Sequence, residues 1–168
     1  LIHESSHYCG DAKAWCLAAP GTDIFSTMPV WGYQRATGTS MAAPHVSGAL
    51  AVLTEAFPNL SAKQLSKRLL VTADKTEQYA NADIYGQGLL DLNAATSPIG
   101  ALGLPAGNSV LEGTLALHLK QWIEGYAFSF SEWLSKKQIL VLDAFDNAPF
   151  YMPATNLIRS QKTPLSFT

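Results

Sequence analysis

Ser40 is the side chain in this sequence that is best placed to act as a nucleophile. It follows a Gly-Thr pair, where a tight turn is expected to lead into a helix. From Met41 to Ala56 almost every residue is small or apolar, which predicts a helix buried on all sides, and Pro58 would end it. The N–H groups and the positive dipole end of such a helix would stabilise negative charge on a substrate oxygen beside Ser40. This arrangement suits acyl transfer.

The residues around Ser40 read Gly38-Thr39-Ser40-Met41-Ala42-Ala43-Pro44-His45-Val46-Ser47-Gly48. They resemble the serine motif of the subtilisin-like proteases (peptidase S8 type), Gly-Thr-Ser-Met-Ala-x-Pro-His-Val-x-Gly, at every fixed position. The resemblance implies that Ser40 is the nucleophile, that its own backbone N–H is one oxyanion donor, and that Thr39 assists beside the oxyanion hole. His45 matches a family histidine that is not catalytic, and five residues along a helix its side chain would point away from Ser40. The alternative is an Ala-rich helix without chemistry, or an inactive relative that kept the helix.

Two further segments resemble the same family. Ala19-Pro20-Gly21, followed by Ile24, fits subtilases in general, and the residues from Tyr85 to Asp91 resemble the segment that closes subtilase domains. The expected fold is therefore α/β over residues 1–98, the C-terminal portion of a subtilisin-like domain, with a parallel sheet and the buried helix after Ser40. Residues 99–109 are predicted to be a linker. Residues 110–168 are predicted to be a small, mainly β segment.

Cys9 and Cys16 are the two cysteines, and their spacing is compatible with a disulfide, a weak metal site or coincidence. A zinc site would need more Cys or His ligands. Residues 9–21 resemble a segment of the subtilisin-like autotransporter proteases of Gram-negative bacteria, which carry the same cysteine pair. That resemblance implies a disulfide and an exported location, at the cell surface or outer membrane or outside the cell. Residues 110–158 loosely resemble the region between passenger domain and β-barrel in the same autotransporters. This second resemblance implies that 110–168 is part of a passenger-to-barrel junction and that the parent is linked to an outer-membrane β-barrel.

A serine nucleophile needs a base within hydrogen-bond reach and a group that orients the base. Subtilases supply Asp and then His before the Ser, whereas the residues that precede Ser40 offer only His3, His7, Asp11 and Asp23, in the wrong order and outside any family motif. The oxyanion Asn of the family also has no counterpart. The expectation is a fragment of a larger product that lacks the catalytic Asp and His and is inactive alone.

The composition and charge of the chain limit the classes of partner that are expected. The chain has 168 residues with a formal net charge of -2 and no basic stripe, so nucleic acid is not an expected partner. No apolar run is long enough to span a membrane as a helix. No organic cofactor is implied, and although calcium sites occur in the family, no calcium ligand set is recognisable. His3 and His7 stand four apart, but without a third ligand they indicate an exposed loop and no metal site.

The remaining elements are predicted from periodicity. Ser61 and Gln64 form a capping box before a helix whose apolar stripe is Leu65, Leu69 and Ala73. Lys63, Lys67 and Arg68 are expected to lie outside this stripe. Residues 28–37 are predicted to be a loop in which Trp31 and Tyr33 either line the substrate cleft or pack the loop down.

Beyond residue 110 the pattern changes. Alternating residues from Leu111 to Leu119 predict a half-buried strand with His118 on its polar face. The residues Phe130, Trp133 and Leu134 have helical spacing. Ile139–Leu142 is expected to be a short buried strand, with Asp143 and Asp146 in the turn that follows.

The predicted function is that of a serine endopeptidase that cleaves peptide bonds in protein substrates through an acyl-enzyme on Ser40. The alternative is a non-catalytic surface passenger, an adhesin or a maturation domain on a subtilase scaffold. Intact Asp and His motifs elsewhere in the parent would favour the enzyme, and their loss would favour the alternative.

Overall fold

The computed structural model describes residues 2–4, 6–29, 32–106, 109–111 and 136–157. The chain divides into two compact units, Leu1–Ser97 and Pro98–Thr168. Each unit contains helical turns and strands, so the expected mixed α and β composition is present.

The first unit is mainly helical. Its described elements are the antiparallel hairpin β1 (Ile24–Met28) and β2 (Gly32–Ala36), and the helices α1 (Thr39–Ala56), α2 (Ala62–Thr72), α3 (Ala82–Tyr85) and α4 (Leu92–Thr96). Single 3-10 turns cover Gly10–Ala12 and Glu77–Tyr79. Strand β2 lies inside the segment 28–37 that was predicted to be a loop, and that prediction was wrong. Both strands carry polar residues on both faces, so the alternation that predicts a strand is missing.

Helix α1 is apolar on all sides but is covered on only one. Ala49, Leu53 and the following Phe57 are buried, whereas Val52 is 48% exposed. Among the described helices, α2 and α4 make the most extensive contacts with α1. The expectation of a helix buried on all sides is therefore wrong for the described part of the chain, because apolar composition alone does not provide a covering layer.

Helix α2 begins with the predicted capping box, in which Ser61 and Gln64 satisfy each other's backbone N–H groups. Leu65 and Leu69 are buried as expected. Arg68 was expected at the surface but is completely buried, with its guanidinium 4.7 Å from the centre of the Phe57 ring. Its Nε donates to the Ala95 carbonyl at 2.6 Å, and one Nη donates to the Ser97 carbonyl at 2.7 Å. This side chain therefore joins α2 to the end of α4.

A short segment, residues 16–21, pairs through its backbone with residues 86–90. The Gln87 N–H donates to the Cys16 carbonyl, Ala18 N–H donates to Gly88, and Leu90 N–H donates back to Ala18, at 2.8–2.9 Å. These contacts include the isolated parallel bridge between Ala18 and Leu89, which is the only parallel pairing in the described residues. The parallel sheet that the family resemblance implies is not formed among them.

The second unit is built on a four-stranded antiparallel sheet in the order β4-β3-β5-β6. Its strands are β3 (Leu102–Ala106), β4 (Ser109–Leu111), β5 (Gln138–Asp143) and β6 (Pro149–Pro153). Within the predicted β segment 110–168, the described residues 110–111 and 136–157 contain parts of β4 and the whole of β5 and β6, and the other residues of the segment lie outside the described ranges. The linker prediction for 99–109 was wrong, because the Gly- and Ala-rich sequence there pairs with β5 as strand β3.

The turn after β5 depends on one buried carboxylate. Asp143 is 1% exposed and accepts hydrogen bonds from the N–H groups of Ile99, Phe145 and Ala148 at 3.0–3.1 Å. The predicted strand ending at Asp143 and the turn after it are confirmed. The strand is only partly buried, because Val141 is buried whereas Leu140 is 37% exposed. The predictions for Trp31, for residues 112–119 with His118, and for Phe130, Trp133 and Leu134 lie outside the described residues.

The buried guanidinium of Arg68 generates a stability prediction. Arg68→Leu should lower the free energy of unfolding by about 2–4 kcal/mol, because the Ala95 and Ser97 carbonyls lose a charged donor without gaining a replacement. Lys63→Leu, on the exposed side of the same helix, is the matched control and should change it by about 0.5 kcal/mol or less. Urea unfolding followed by circular dichroism measures both, and equal midpoints for the two variants would contradict the role of Arg68.

Candidate active site

Ser40 is the second residue of α1, and its side chain is exposed. The helix starts at Gly38, which has φ 155° and ψ 168°, a conformation that only glycine adopts readily. The Gly38 carbonyl accepts the first hydrogen bonds of the helix, from Met41 N–H at 3.0 Å and from Ala42 N–H at 3.3 Å. The turn at Gly38 therefore determines where the first turn of α1, and with it Ser40, is placed.

The N–H groups at the start of α1 are available to a ligand. Among the described residues, no acceptor takes a hydrogen bond from the N–H of Thr39 or of Ser40. The first N–H groups of a helix have no partner within the helix, and the helix dipole makes this end electropositive. An oxyanion beside Ser40 would find both donors and a favourable field there.

No described residue is in position to act as a general base for Ser40. The Ser40 hydroxyl makes no hydrogen bond within the part of the chain that the structure describes. Nδ1 of His45 lies 2.8 Å from the Met41 carbonyl oxygen, so His45 donates to its own helix. Asp23 forms an ion pair with Arg35, at 2.9 Å between Oδ2 and Nη1. Neither side chain is directed at Ser40.

His3 and His7 line a cavity of about 570 Å³ on the first unit, together with Thr22, Thr39 and Tyr85. Ser40 is not among the lining residues. The two histidines are thus brought towards the start of α1 but not to Ser40. Asp11 lies in the 3-10 turn Gly10–Ala12 and does not line this cavity.

Cys9 and Cys16 are joined by a disulfide, with their Cα atoms 5.8 Å apart. The loop that it closes is attached to the α3 region. Lys13 forms an ion pair with Asp83 at 2.8 Å and accepts a hydrogen bond at its carbonyl from the Gln87 side chain at 3.0 Å. The chain then continues from Cys16 directly into the 16–21 segment.

The hairpin that precedes Ser40 carries an exposed aromatic pair. The rings of Phe25 and Tyr33 stack with their centres 5.5 Å apart, and Arg35 lies 5.6 Å from the centre of the Phe25 ring. Tyr33 is 64% exposed, so its side chain does not hold residues 28–37 against the rest of the first unit.

Sequence reasoning missed the residues that join the base of the hairpin to α1, above all Thr37. Its hydroxyl accepts a hydrogen bond from the Asp23 N–H at 2.9 Å. Nothing in the local pattern indicates this contact, because its partners are 14 residues apart.

Within the described ranges, no three His, Cys, Asp or Glu side chains come together as a metal site. None of the described helices is both long enough and apolar enough to cross a membrane.

Comparison with known proteins places these features in a family. A sequence model of the subtilase family matches residues 2–88. The chain is 37% identical over 104 residues to serotype-specific antigen 1 of Mannheimia haemolytica, an alignment that covers 57% of this chain and 11% of the relative. It is 34% identical over 113 residues to an extracellular serine protease of Serratia marcescens. That alignment covers 54% of this chain and 11% of the relative.

Among solved structures, the chain is similar to the prenylagaramide maturation protease PagA. The TM-score is 0.50 and the identity 28%, over 56% of this chain and 36% of that one. The chain thus spans about a tenth of the length of the two relatives and about a third of this structure.

The disulfide generates a chemical prediction. Mass spectrometry of the purified protein without reduction should find the peptides that contain Cys9 and Cys16 linked. Replacing both cysteines by serine should cost about 2–3 kcal/mol of stability in the loop-entropy account, because the short loop is no longer closed in the unfolded chain. Alkylation of both thiols without a reducing agent would contradict the bond.

Proposed function

Because the chain belongs to the subtilase family, whose members are of the serine-protease kind, we propose that it forms the serine-bearing part of an endopeptidase with Ser40 as nucleophile. The observation that supports this most directly is the position of Ser40 at the start of α1, beside two N–H groups without acceptors among the described residues. This position lies inside the range that matches the family.

The proposed reaction has two halves. The Ser40 Oγ attacks the carbonyl carbon of the scissile peptide bond, and its proton passes to a base. The resulting oxyanion is held by the Ser40 N–H, with Thr39 next to it. The C–N bond then breaks, the amine leaves with a proton returned by the base, and an acyl ester remains on Ser40. Water attacks this ester, releases the carboxylic acid and restores the serine hydroxyl.

The base and its orienting carboxylate are proposed to come from outside this chain. In support, the Ser40 hydroxyl has no hydrogen-bond partner among the described residues, and His45 and Asp23 are engaged elsewhere. The relatives are also much longer than the aligned region. The complete protein that contains this chain is therefore the proposed enzyme, and its substrates are proteins or peptides.

The complete protein is further proposed to be exported. The support is the Cys9–Cys16 disulfide, since such bonds persist in oxidising compartments, and the similarity to a protease that is named as extracellular. Linkage to an outer-membrane β-barrel remains part of the proposal on the resemblance to autotransporter proteases alone.

A second candidate function is a non-catalytic surface passenger on the same scaffold. Two observations favour it: no described residue acts as a base for Ser40, and a relative with 37% identity is named as a serotype-specific antigen. In this alternative, Ser40 is only the second residue of a helix and its hydroxyl has ordinary reactivity.

The two candidates differ in the effect of Ser40→Ala on the complete protein. For the protease, the variant should lose about a millionfold in kcat, a figure carried over from subtilisin itself, while the thermal unfolding midpoint stays the same. Ser47→Ala is the matched control on the same helix, where the hydroxyl donates only to the Ala43 carbonyl at 3.3 Å. Peptide hydrolysis retained in Ser40→Ala would exclude the proposed nucleophile.

The 168-residue chain alone is expected to be inactive, because no residue in the described part of the chain contacts the Ser40 hydroxyl as a base. A fluorophosphonate probe, which labels activated serines, should modify Ser40 in the complete protein and not in the isolated chain. Equal labelling rates in the two would show that the chain supplies its own base, and His3 or His7 would then be the candidates.

A further inference from the structure

The hairpin and the 16–21 segment meet α1 at a clasp formed by Gly21, Thr37 and Gly38. The Gly38 N–H donates to the Gly21 carbonyl at 2.8 Å, and the Asp23 N–H donates to the Thr37 hydroxyl at 2.9 Å. These contacts continue the pairing of the hairpin, whose last paired residues are Ile24 and Ala36. The clasp therefore joins the base of the hairpin to Gly38, the residue that immediately precedes the helix that carries Ser40.

At this clasp there is no room for a side chain on residue 21. A Cβ atom there would lie 2.8 Å from the Gly38 carbonyl oxygen and 3.1 Å from the Ala42 Cβ. The Gly38 carbonyl is the group that accepts the first hydrogen bonds of α1. Any displacement of this carbonyl therefore moves the first turn of the helix, which contains Ser40 and its N–H.

We propose that Gly21 and Thr37 are positioning residues for the nucleophile: the clasp fixes the entry of α1 and so sets the place of Ser40 and of its oxyanion donor. This inference rests on the proposed function. Neither residue is assigned contact with substrate; both act through Gly38. A misplacement of about 1 Å can cost about a hundredfold in rate, because the attacking atom must lie in line with its target.

The experiment uses the complete protein that contains this chain. Gly21→Ala should lower kcat by about a hundredfold with little change in KM, because the added methyl group pushes the Gly38 carbonyl aside. Combining it with Ala42→Gly should restore a large part of this loss, since removing the Ala42 Cβ lets the added methyl group move away from Gly38. A purely structural defect would lower the amount of folded protein without this rescue of kcat.

Thr37 offers a second, milder test that does not depend on a steric clash. Thr37→Val removes the acceptor of the Asp23 N–H and should lower kcat by about tenfold, with an unchanged circular dichroism spectrum because Thr37 is exposed. Thr37→Ser keeps the hydroxyl and should retain the wild-type kcat. If Val and Ser variants behave alike, the hydrogen bond has no positioning role.

The outcomes separate the two proposals. A wild-type kcat in Gly21→Ala would overturn the positioning role alone, provided that Ser40→Ala is inactive. A wild-type protein without peptidase activity, or an active Ser40→Ala variant, would overturn the proposed function and the inference with it. Loss of kcat in Gly21→Ala and Thr37→Val, with rescue by Ala42→Gly and Thr37→Ser, supports the clasp.

Discussion

The first unit depends on the backbone of residues 16–21, which hydrogen-bonds along much of its length. On one side its carbonyl and N–H groups pair with residues 87–90, and at its end the Gly21 carbonyl accepts from Gly38. The disulfide loop lies at one end of this segment and the start of α1 at the other. The placement of Ser40 therefore depends on residues far from it in sequence.

In the described part of the chain, helix α1 is covered on only one face, so the contacts at its two ends contribute to its placement. Only one of its faces is covered by described residues, so packing along its length holds it less firmly than in a helix buried on all sides. Its two ends carry the additional constraints. At the C-terminal end, Phe57 is buried beneath the Arg68 guanidinium, and at the N-terminal end Gly38 is held by Gly21. Both ends of α1 are therefore tied to other parts of the first unit.

The features that could be predicted from the sequence are those that depend on contacts between residues close together in the chain. The first hydrogen bonds of α1, the capping box of α2 and the Asp143 bonds to Phe145 and Ala148 each involve residues a few positions apart. The contacts of Gly38 with Gly21 and of Asp143 with Ile99 are long-range and were not predicted. Arg68 was misjudged because its acceptors, such as the Ala95 carbonyl, lie 27 residues away, and a charged residue next to an apolar stripe normally remains in water. Strand β3 was mistaken for a linker because its Gly- and Ala-rich sequence lacks alternation, and its pairing with β5 is a long-range contact.

The candidate site also has a local part, which the sequence predicts, and a long-range part, which it does not. The proposed nucleophile and its proposed backbone donors belong to one turn of one helix, which a short motif specifies, whereas a base would have to be brought to the serine by a different part of the fold. The first part can therefore persist when the second is lost, because α1 is held by Gly21 and Arg68 and not by any contact of the Ser40 hydroxyl among the described residues. An active protease and a non-catalytic passenger would share the same α1 and the same clasp. The protease and the passenger would differ in the residue that approaches the Ser40 Oγ in the complete protein. The geometry of α1 does not distinguish them.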